Sequence, residues 1–442
     1  LRGLDEAAEQ MVEAALAQAL GEMVPADVSI TDEHGRVGDI VYLHYVRTGR
    51  HFFFLVNTSR ERAHRAMVQV RVGGRLELWD PNTGESLPIL VYETHVAETV
   101  VPLSFEPTQS HIVSIEPRGQ AGPHVEETDL AIEQVQPGRV EGFALSDGNH
   151  HATVRVGDDV RKLTATTADA PPPIELVEPW AFHAERMNAL PLRNWSYRVE
   201  AKVLGKDSAT SFHVYETSFQ AAEKPREARL LMDGLVIEKV WHRTANVDVK
   251  VFVNGTQVEK FEQGNYLDHL VLEADVTPLL KQGENKVAVR TEGHLYEIPS
   301  LAHPPILIGR FSLVKTRDSW GLKPEPTSLS YGSWAEQGYP FYSGVGVYEK
   351  SFNLSEAYVG CRLTLRLEKV ADLADISVNG RQVAVRAWEP FEADISAYVN
   401  QGENTVTIKV ANSMQNLVVE PKPSGLLGKV KVVGERRVSL QY

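Results

Sequence analysis

The chain has almost no cysteine. Cys361 is the single cysteine in 442 residues, so an internal disulfide is excluded and this thiol cannot build a zinc site alone. It opens a stretch in which apolar and polar residues alternate, which favours a buried structural thiol over a reactive nucleophile. So low a cysteine content fits the cytosol but also many exported bacterial enzymes, and the compartment therefore stays open.

The chain also lacks long hydrophobic runs and an excess of basic residues. No run approaches the roughly 18 apolar residues that a membrane-spanning helix needs. The 45 basic and 59 acidic residues leave a net charge of −14, which repels phosphate backbones and anionic membrane surfaces. We therefore expect neither nucleic acid nor membrane as a partner. The length suggests three or four domains of roughly 100–200 residues each.

Signatures of catalysis are missing as well. The sequence contains no Gly-x-Ser-x-Gly, no His-Glu-x-x-His, no phosphate-binding Walker loop and no Cys-x-x-Cys. Strands and helices do not alternate, which excludes a Rossmann unit or a (β/α)8 barrel within this chain. With 59 acidic residues, carboxylate pairs arise by chance, so no pair can be assigned to glycoside hydrolysis. We therefore assign no catalytic residue.

What the chain does contain is a long internal repeat. Segment 251–258 reads Val-Phe-Val-Asn-Gly-Thr-Gln-Val, and segment 376–383 reads Ile-Ser-Val-Asn-Gly-Arg-Gln-Val. Gln-Gly-Glu-Asn follows in both copies, at 282–285 and at 401–404. Asn-Gly between alternating apolar runs predicts a type I′ hairpin, because that turn needs positive φ at both central residues. A repeat of this length predicts one antiparallel β-sandwich built twice.

A short capped turn is predicted in each copy of the repeat. Thr277 precedes Pro278, and Ser396 occupies the same place in the second copy, so both read as N-caps of a single helical turn. Alternating residues follow at 286–290 and 405–409 and predict strands. Each copy is therefore expected to run hairpin, turn, strand within an all-β, jelly-roll sandwich.

The rest of the chain adds one helix and further strands. An amphipathic pattern predicts a helix over 4–24, and short alternating runs predict strands from there to about residue 116. Because the chain starts with Leu1 rather than methionine, we expect a processed protein or a fragment of a longer one. The predicted units are the N-terminal helix at 1–24, a β-sandwich at 25–118, a linker and small β segment at 119–175, repeat one at 176–318 and repeat two at 319–442.

Several motifs resemble sugar-active enzymes. One set resembles the C-terminal sandwich of glycoside hydrolase family 106, the α-L-rhamnosidases, and lies at 337–344, 347–349, 374–380, 388–390 and 424–428. The Val-Asn-Gly and Trp-x-Pro motifs are also similar to the galactose-binding-like, sugar-binding domain of glycoside hydrolase family 2. A further set resembles the segment that directly follows the catalytic barrel in the rhamnosidase-like enzymes, and lies at 43–44, 54–57 and 78–81.

The resemblance implies a function and a missing part. Those enzymes carry their acid and base on an N-terminal barrel, so 4–24 would be the last helix of that barrel, and this chain would be an accessory, carbohydrate-binding portion. The alternative is a free-standing carbohydrate-binding or adhesion protein of tandem sandwiches. A third hypothesis is a hydrolase whose residues the motifs do not reveal. Calcium between loops is common in such sandwiches, but no Asp-x-Asp-x-Asp loop supports it here, so no cofactor is assigned.

The candidate sugar contacts lie in loops of the two repeats. A sugar needs an aromatic platform for its C–H faces and amide or carboxylate groups for its hydroxyls. The residues that fit are Trp388, Asn412, Gln415 and Asn416 in repeat two and Trp241 in repeat one. The alternatives stay open: Trp388 with Pro390 can serve only to pack its loop, and the two asparagines can be turn residues.

Overall fold

The structure is a computed structural model, and it describes most of the chain. It covers residues 26–442 except 82, 96–97, 118–121, 204–208, 234–247, 268–270, 294–303 and 318. Before residue 26 it describes only Met11, Val12, Ala15, Leu16 and Ala19, which are helical and exposed. The helix predicted over 4–24 otherwise lies outside the described residues, as does Trp241.

The described part of the chain is built from β-strands, and the prediction of an all-β fold of tandem antiparallel sandwiches is confirmed. The strands are short, and most bury alternate residues, as expected for sheets that pack on a core with one face. Over the same residues, no helix combines the length and the apolar content that crossing a bilayer requires.

The first sandwich consists of two five-stranded sheets, with orders β2-β1-β5-β9-β8 and β3-β4-β10-β6-β7. Its strands are β1 (Val28–Asp32), β2 (Gly35–Arg36), β3 (Ile40–Arg47), β4 (Arg50–Asn57), β5 (His64–Val70), β6 (Arg75–Trp79), β7 (Ser86–Pro88), β8 (Glu93–His95), β9 (Glu98–Phe105) and β10 (Ser110–Glu116). Phe53, Leu55 and Phe105 are fully buried between the sheets. Asp27 lies at the edge of this unit, where its carboxylate accepts hydrogen bonds from Tyr42 and His44 of β3.

A small β unit follows and is completed by the end of the chain. Its strands are β11 (His124–Thr128), β12 (Ala131–Gln136), β13 (Arg139–Ala144), β14 (Gly148–Val156) and β15 (Asp159–Thr167). β13 pairs antiparallel with the last strand of the chain, Val430–Gln441. Val438 and Leu440 of that last strand pack with Val140 and Val154 in one small core. The unit is therefore a β layer fastened to repeat two.

Repeat one forms a complete sandwich between residues 188 and 323. After β16 (Ile174–Glu175) and β17 (Trp180–Ala184), its strands are β18 (Asn188–Pro191), β19 (Ser196–Val203), β20 (Ala209–Ala221), β21 (Ala228–Asp233), β22 (Asp248–Val253), β23 (Thr256–Gln257), β24 (Glu262–Gln263), β25 (Val271–Asp275), β26 (Gly283–Gly293), β27 (Ile306–Gly309), β28 (Ser312–Lys315) and β29 (Trp320–Lys323). One sheet has the order β18-β27-β21-β25-β24, and the other has the order β23-β22-β26-β20-β29-β28 with β19 on β20.

Repeat two forms the sandwich with the largest aromatic core. Its elements are β30 (Ser328–Leu329), β31 (Val345–Leu354), β32 (Arg362–Leu367), β33 (Val370–Ala371), β34 (Leu373–Val378), β35 (Arg381–Arg386), β36 (Glu392–Asp394), β37 (Gly402–Ala411), the short helix α1 (Gln415–Val418), β38 (Gly425–Leu426) and β39 (Val430–Gln441). One sheet has the order β30-β17-β31-β37-β34-β35, and β39, β32 and β36 lie in the opposite sheet. Trp180, Trp334, Tyr342 and Tyr348 are buried between the two sheets.

The two repeats are nested rather than consecutive. β17 pairs with β30 and β31 of repeat two, although it precedes repeat one in the chain. β29 pairs with β28 and β20 of repeat one. β17 thus belongs to a sheet of repeat two although it precedes repeat one, and β29 belongs to a sheet of repeat one. The sandwich of repeat one is inserted between the first strand of repeat two and the remainder.

The two repeated motifs meet in space through a pair of asparagines. Asn379 and Gly380 both have positive φ, as the type I′ hairpin requires. The Asn379 side chain donates to Oδ1 of buried Asn404 at 2.8 Å and accepts from the Thr405 N–H at 2.9 Å. Asn404 in turn donates to the carbonyl oxygen of Asn400 at 2.7 Å. The hairpin tip is thereby fastened to the loop before the next strand.

Repeat one contains the same arrangement. Asn254 has positive φ, donates to Oδ1 of Asn285 at 2.9 Å and accepts from the Lys286 N–H at 2.9 Å. Asn285 is fully buried and donates to the carbonyl oxygen of Lys281 at 2.7 Å. Val-Asn-Gly and Gln-Gly-Glu-Asn recur together because each supplies one half of this amide pair.

The hydroxyl groups predicted to cap the two helical turns bond to a neighbouring strand instead. The hydroxyl of Ser396 accepts from the Leu363 N–H at 2.8 Å, and that of Thr277 accepts from the Ala228 N–H at 2.9 Å. The turn is closed instead by the preceding aspartate, since Asp394 and Asp275 each accept from the backbone N–H two residues later. The prediction of hydroxyl caps is therefore wrong, because a neighbouring strand offers the hydroxyls a backbone donor.

We expect Asn404→Ala to lower the free energy of unfolding of the repeat-two sandwich by about 1–3 kcal/mol, because it leaves buried hydrogen-bonding groups unpaired. The Asn379→Ala, Asn404→Ala double variant should lose less than the sum of the two single variants. Urea unfolding followed by the fluorescence of buried Trp180 and Trp334 measures both effects. Exposed Gln401→Ala is the control and should change the midpoint little.

Candidate functional site

The candidate site is a rim at one end of the repeat-two sandwich. Arg386, the last residue of β35, lies opposite Ala374 of β34, and Ala411, the last residue of β37, lies opposite the adjacent Leu373. The loop after β35 and the loop after β37 therefore leave the same end of the sheet, two strand spacings apart, which is about 10 Å. The structure thus places Trp388 and the three predicted amides in two loops at one end of the sandwich.

The loop of Trp388 is held by hydrogen bonds to two backbone carbonyl groups at its C-terminal end. The Leu367 N–H donates to the carbonyl oxygen of Phe391 at 2.9 Å, and the Arg386 guanidinium donates to the carbonyl oxygen of Glu392 at 2.9 Å. Phe391 is buried in the core of the sandwich. The Trp388 side chain remains 37% exposed. A partly exposed indole on a fixed loop is a suitable platform for the apolar face of a sugar ring.

Glu389 gives this loop an unusual carboxyl group. Burial raises the pKa of Glu389, the negative charge of Glu106 raises it further, and Lys369 opposes the rise. Glu106 belongs to the first sandwich, directly after β9, so two sandwiches contribute charge to this rim. Half-buried Glu389 can accept hydrogen bonds from sugar hydroxyls, and Lys369 can donate to them.

The predicted amides of Asn412 and Asn416 are engaged within the chain. Asn412 donates to the carbonyl oxygen of Tyr342 at 2.9 Å and accepts from the Gly344 N–H at 2.9 Å. Buried Asn416 donates to the carbonyl oxygen of Lys422 at 3.0 Å and accepts from the Lys422 N–H at 3.2 Å. Both side chains brace the loop between β37 and β38. Their contact with a sugar stays a prediction.

The braced loop has a structural task that the sequence did not reveal. It contains α1, whose Leu417 is buried in the core of repeat one together with Phe341. Gln415 begins this helix with a half-buried side chain. Two side chains of the repeat-two region thus complete the neighbouring core, and the loop works as a joint between the sandwiches. The short apolar run 417–419 was the available signal.

A second notable surface, the apolar face, covers the outer side of the β3-β4-β10-β6 sheet. Leu43 lies opposite Phe54, Phe54 opposite Ile112, and Ile112 opposite Trp79, which gives a continuous row across four strands. Leu43 is 64% exposed. The members of the apolar face are Val41, Leu43, Tyr45, Phe52, Phe54, Val56, Trp79 and Ile112. Four of its members, Leu43, Phe54, Val56 and Trp79, belong to the segments 43–44, 54–57 and 78–81 of the resemblance.

The described residues contain no group of three or more His, Cys, Asp or Glu side chains that could hold a metal ion. The pair His150 and Asp129, joined at 2.7 Å, serves the small β unit, since Asp129 also accepts from the His151 N–H at 2.8 Å. These contacts fasten β14 to the turn after β11. No cofactor is assigned.

Comparison with known proteins finds sugar-active enzymes. Residues 321–427 match the family described as "Glycosyl hydrolases family 2, sugar binding domain". A Formosa agariphila protein named as a candidate β-glucuronidase is 30% identical over 92 residues, which are 20% of this chain and 8% of that protein. A second such protein of the same organism is 26% identical over 124 residues, which are 26% of this chain and 12% of that protein. The predicted likeness to the family 2 sugar-binding domain is confirmed.

Solved structures with similar folds are larger enzymes. A rhamnosidase from Novosphingobium sp. PP1Y, at 19% identity and a TM-score of 0.42, aligns with 95% of this chain and 26% of its own length. The β-glucuronidase of Ruminococcus gnavus, at 24% identity and a TM-score of 0.22, aligns with 25% of this chain and 23% of its own length. The chain thus spans about a quarter of either enzyme and about a tenth of the Formosa proteins.

We expect Asn416→Ala to lower the free energy of unfolding by about 1–3 kcal/mol, because it leaves the Lys422 backbone groups without their partner. Neighbouring Gln415→Ala should change it by no more than about 0.5 kcal/mol. Chemical unfolding of the full chain compares the two. Equal losses from both variants would contradict the bracing role of Asn416.

We expect Glu389→Gln to stabilise the fold near pH 7 but not near pH 4. Because the folded state raises the pKa of Glu389, its ionised form is the unfavourable one, and this cost is absent below the unfolded pKa and complete above the folded pKa. The gain should be small, about 0.3 kcal/mol, since half-exposed charges are screened by solvent.

Thermal midpoints at the two pH values measure this gain. Glu106→Gln should give part of the same gain, and the two substitutions should not add fully. The control is Glu420→Gln at an exposed position. A gain from Glu389→Gln that persists at pH 4 would show that charge is not its cause.

Proposed function

We propose that this chain is the accessory, carbohydrate-binding β-sandwich portion of a rhamnosidase-like glycoside hydrolase, with the catalytic domain elsewhere in the protein. The observation that carries the proposal is the match of residues 321–427 to the sugar-binding domain of glycosyl hydrolases family 2. The matched segment contains β31 to β38 and the whole rim around Trp388.

The rim offers the chemistry that a sugar requires. Trp388 supplies an indole surface for C–H contacts, and Glu389 and Lys369 supply an acceptor and a donor for hydroxyls. The loop is short, and the Leu367 N–H and the Arg386 guanidinium donate to its carbonyl oxygens at 2.9 Å, so little conformational entropy is lost when a ligand binds. Asn412 and Asn416 contribute by holding the neighbouring loop in place.

The apolar face supports an accessory role beside another folded domain. Contiguous exposed apolar surface on a soluble protein marks an interaction site, and here it extends across four strands. The bonds of Asp27 to Tyr42 and His44 do not cover the apolar face, because these two side chains lie on the opposite side of β3 from Leu43. A further folded domain packed on this sheet would cover the face.

The second candidate function is a free-standing carbohydrate-binding or adhesion protein. The same rim supports it, because sugar binding needs no catalytic domain. The two candidates differ in the apolar face, which an independent secreted protein would have to leave in water. Turnover of an aryl rhamnoside or glucuronide by the purified chain would contradict both candidates, and we expect none.

We expect Trp388→Ala to weaken binding of a cognate oligosaccharide about tenfold, which corresponds to ~1.4 kcal/mol for a lost aromatic platform. Glycan-array screening followed by calorimetry of the full chain measures it. The matched control is Trp79→Ala, because Trp79 is 39% exposed and lies in the apolar face. Binding that survives Trp388→Ala but is lost with Trp79→Ala would move the sugar site to the first sandwich.

We expect Leu43→Lys to reduce self-association and the binding of an apolar dye by the purified chain, because it places a charge in the middle of the apolar face. Light scattering and dye fluorescence measure the change. Leu145→Lys is the matched control, a leucine 56% exposed in the small β unit. If both variants behave as the parent chain does, the apolar face is not an adhesive surface.

A further inference from the structure

A cleft of about 250 Å³ lies in the repeat-one sandwich, and its described lining includes no residue of the Trp388 loop. Its walls are the segment after β18, the middle of β20 and the turn between β28 and β29. We call it the basic cleft, and its defining residues are Arg193, Thr217, Lys315, Arg317, Trp320 and Phe341. Phe341 comes from the repeat-two region, so the cleft lies where the two sandwiches join.

The charge of the basic cleft is unbalanced. Arg193, Lys315 and Arg317 line it, and its described lining residues include no carboxylate. Within the described part of the chain, none of these three side chains forms an ion pair. Asp318, next to Arg317, lies outside the described residues. Three cations with no carboxylate among the described lining residues are unexpected in a chain of net charge −14.

The other charged clefts of the molecule differ in this respect. The cleft between β17 and β27 contains Arg310, but Glu325 lies 3.8 Å from that guanidinium and lines the same cleft. The groove on the outer face of β20 contains Arg198, which pairs with Glu200 at 3.0 Å within the groove. Both of these clefts therefore include carboxylates among their lining residues. The described lining of the basic cleft includes none.

The basic cleft also has an aromatic wall. Trp320 packs edge to face on Phe341 with ring centroids 5.4 Å apart. The Arg193 guanidinium lies 5.7 Å from the centroid of the Phe341 ring, which orients its planar fork. Trp320 is half-buried, so part of its ring is accessible from the cleft. An aromatic surface beside convergent cations suits a ligand that combines a ring with an anionic group.

We propose that the basic cleft is a second saccharide site, selective for sugars that carry a carboxylate or sulfate group. Arg193 and Arg317 would bind the anionic group as bidentate donors, with Lys315 adding a point charge. Trp320 would contact the sugar ring. The proposal rests on the proposed carbohydrate-binding function and adds a ligand class at a separate place in the fold.

The test measures binding of full-length chain to an oligogalacturonate and to a neutral galacto-oligosaccharide of equal length, by calorimetry at low and moderate salt. We expect the acidic oligosaccharide to bind more tightly and to weaken as salt increases. Arg193→Ala and Arg317→Ala should each weaken its binding about tenfold or more, and Arg317→Lys should restore part of the loss, as a point charge replaces the fork.

The controls separate this site from the Trp388 rim. Arg198→Ala removes an exposed cation that is already paired and should leave acidic-oligosaccharide binding unchanged. Trp388→Ala should also leave acidic-oligosaccharide binding unchanged. If this variant fails to bind neutral sugars, the proposal for the basic cleft is not affected. Equal binding of neutral and acidic ligands by the Trp388→Ala variant, or unchanged acidic-oligosaccharide binding in both Arg193→Ala and Arg317→Ala, would overturn it. If inorganic sulfate displaces the acidic oligosaccharide at an equal concentration, the cleft binds an anion without recognising the sugar. That result would overturn the saccharide assignment.

Discussion

One amide pair holds each repeated sandwich closed. Asn379 with Asn404, and Asn254 with Asn285, join a hairpin tip to the start of the neighbouring strand, β37 or β26. In each pair both side chains donate and accept hydrogen bonds, and the second asparagine is buried. A side chain that cannot form these bonds would leave buried backbone groups without a hydrogen-bonding partner. The pair therefore fixes the start of β37 or β26 against the tip of the neighbouring hairpin.

Local chemistry made the repeat and the fold class predictable. Asn-Gly needs positive φ wherever it forms a hairpin, and alternating residues suit half-buried strands, so short stretches suffice. The nesting of repeat one within repeat two was not predictable in this way. β17 pairs with β30 and β31, and the residues of β17 alone do not indicate which distant strands it pairs with.

In the candidate sites too, local features were predictable from the sequence and contacts between distant segments were not. The position of Trp388 in a loop between strands follows from the pattern of the sequence, and the structure agrees. The sequence indicates that Asn412 and Asn416 can form hydrogen bonds, but it cannot say that backbone groups of their own sandwich take those bonds. The basic cleft was missed because its walls come from three distant segments. Lys315, Arg317 and Trp320 lie close in the chain and were the one local signal.

The nesting of one sandwich inside another sets an order for folding during synthesis. Trp180 of β17 pairs with Leu329, so the first strand of the outer sandwich emerges from the ribosome long before its partners. At roughly 5–20 residues per second, this strand waits on the order of ten seconds while the whole inner sandwich is made. The inner unit can fold first, and by bringing its two ends together it delivers β17 and β30 to each other.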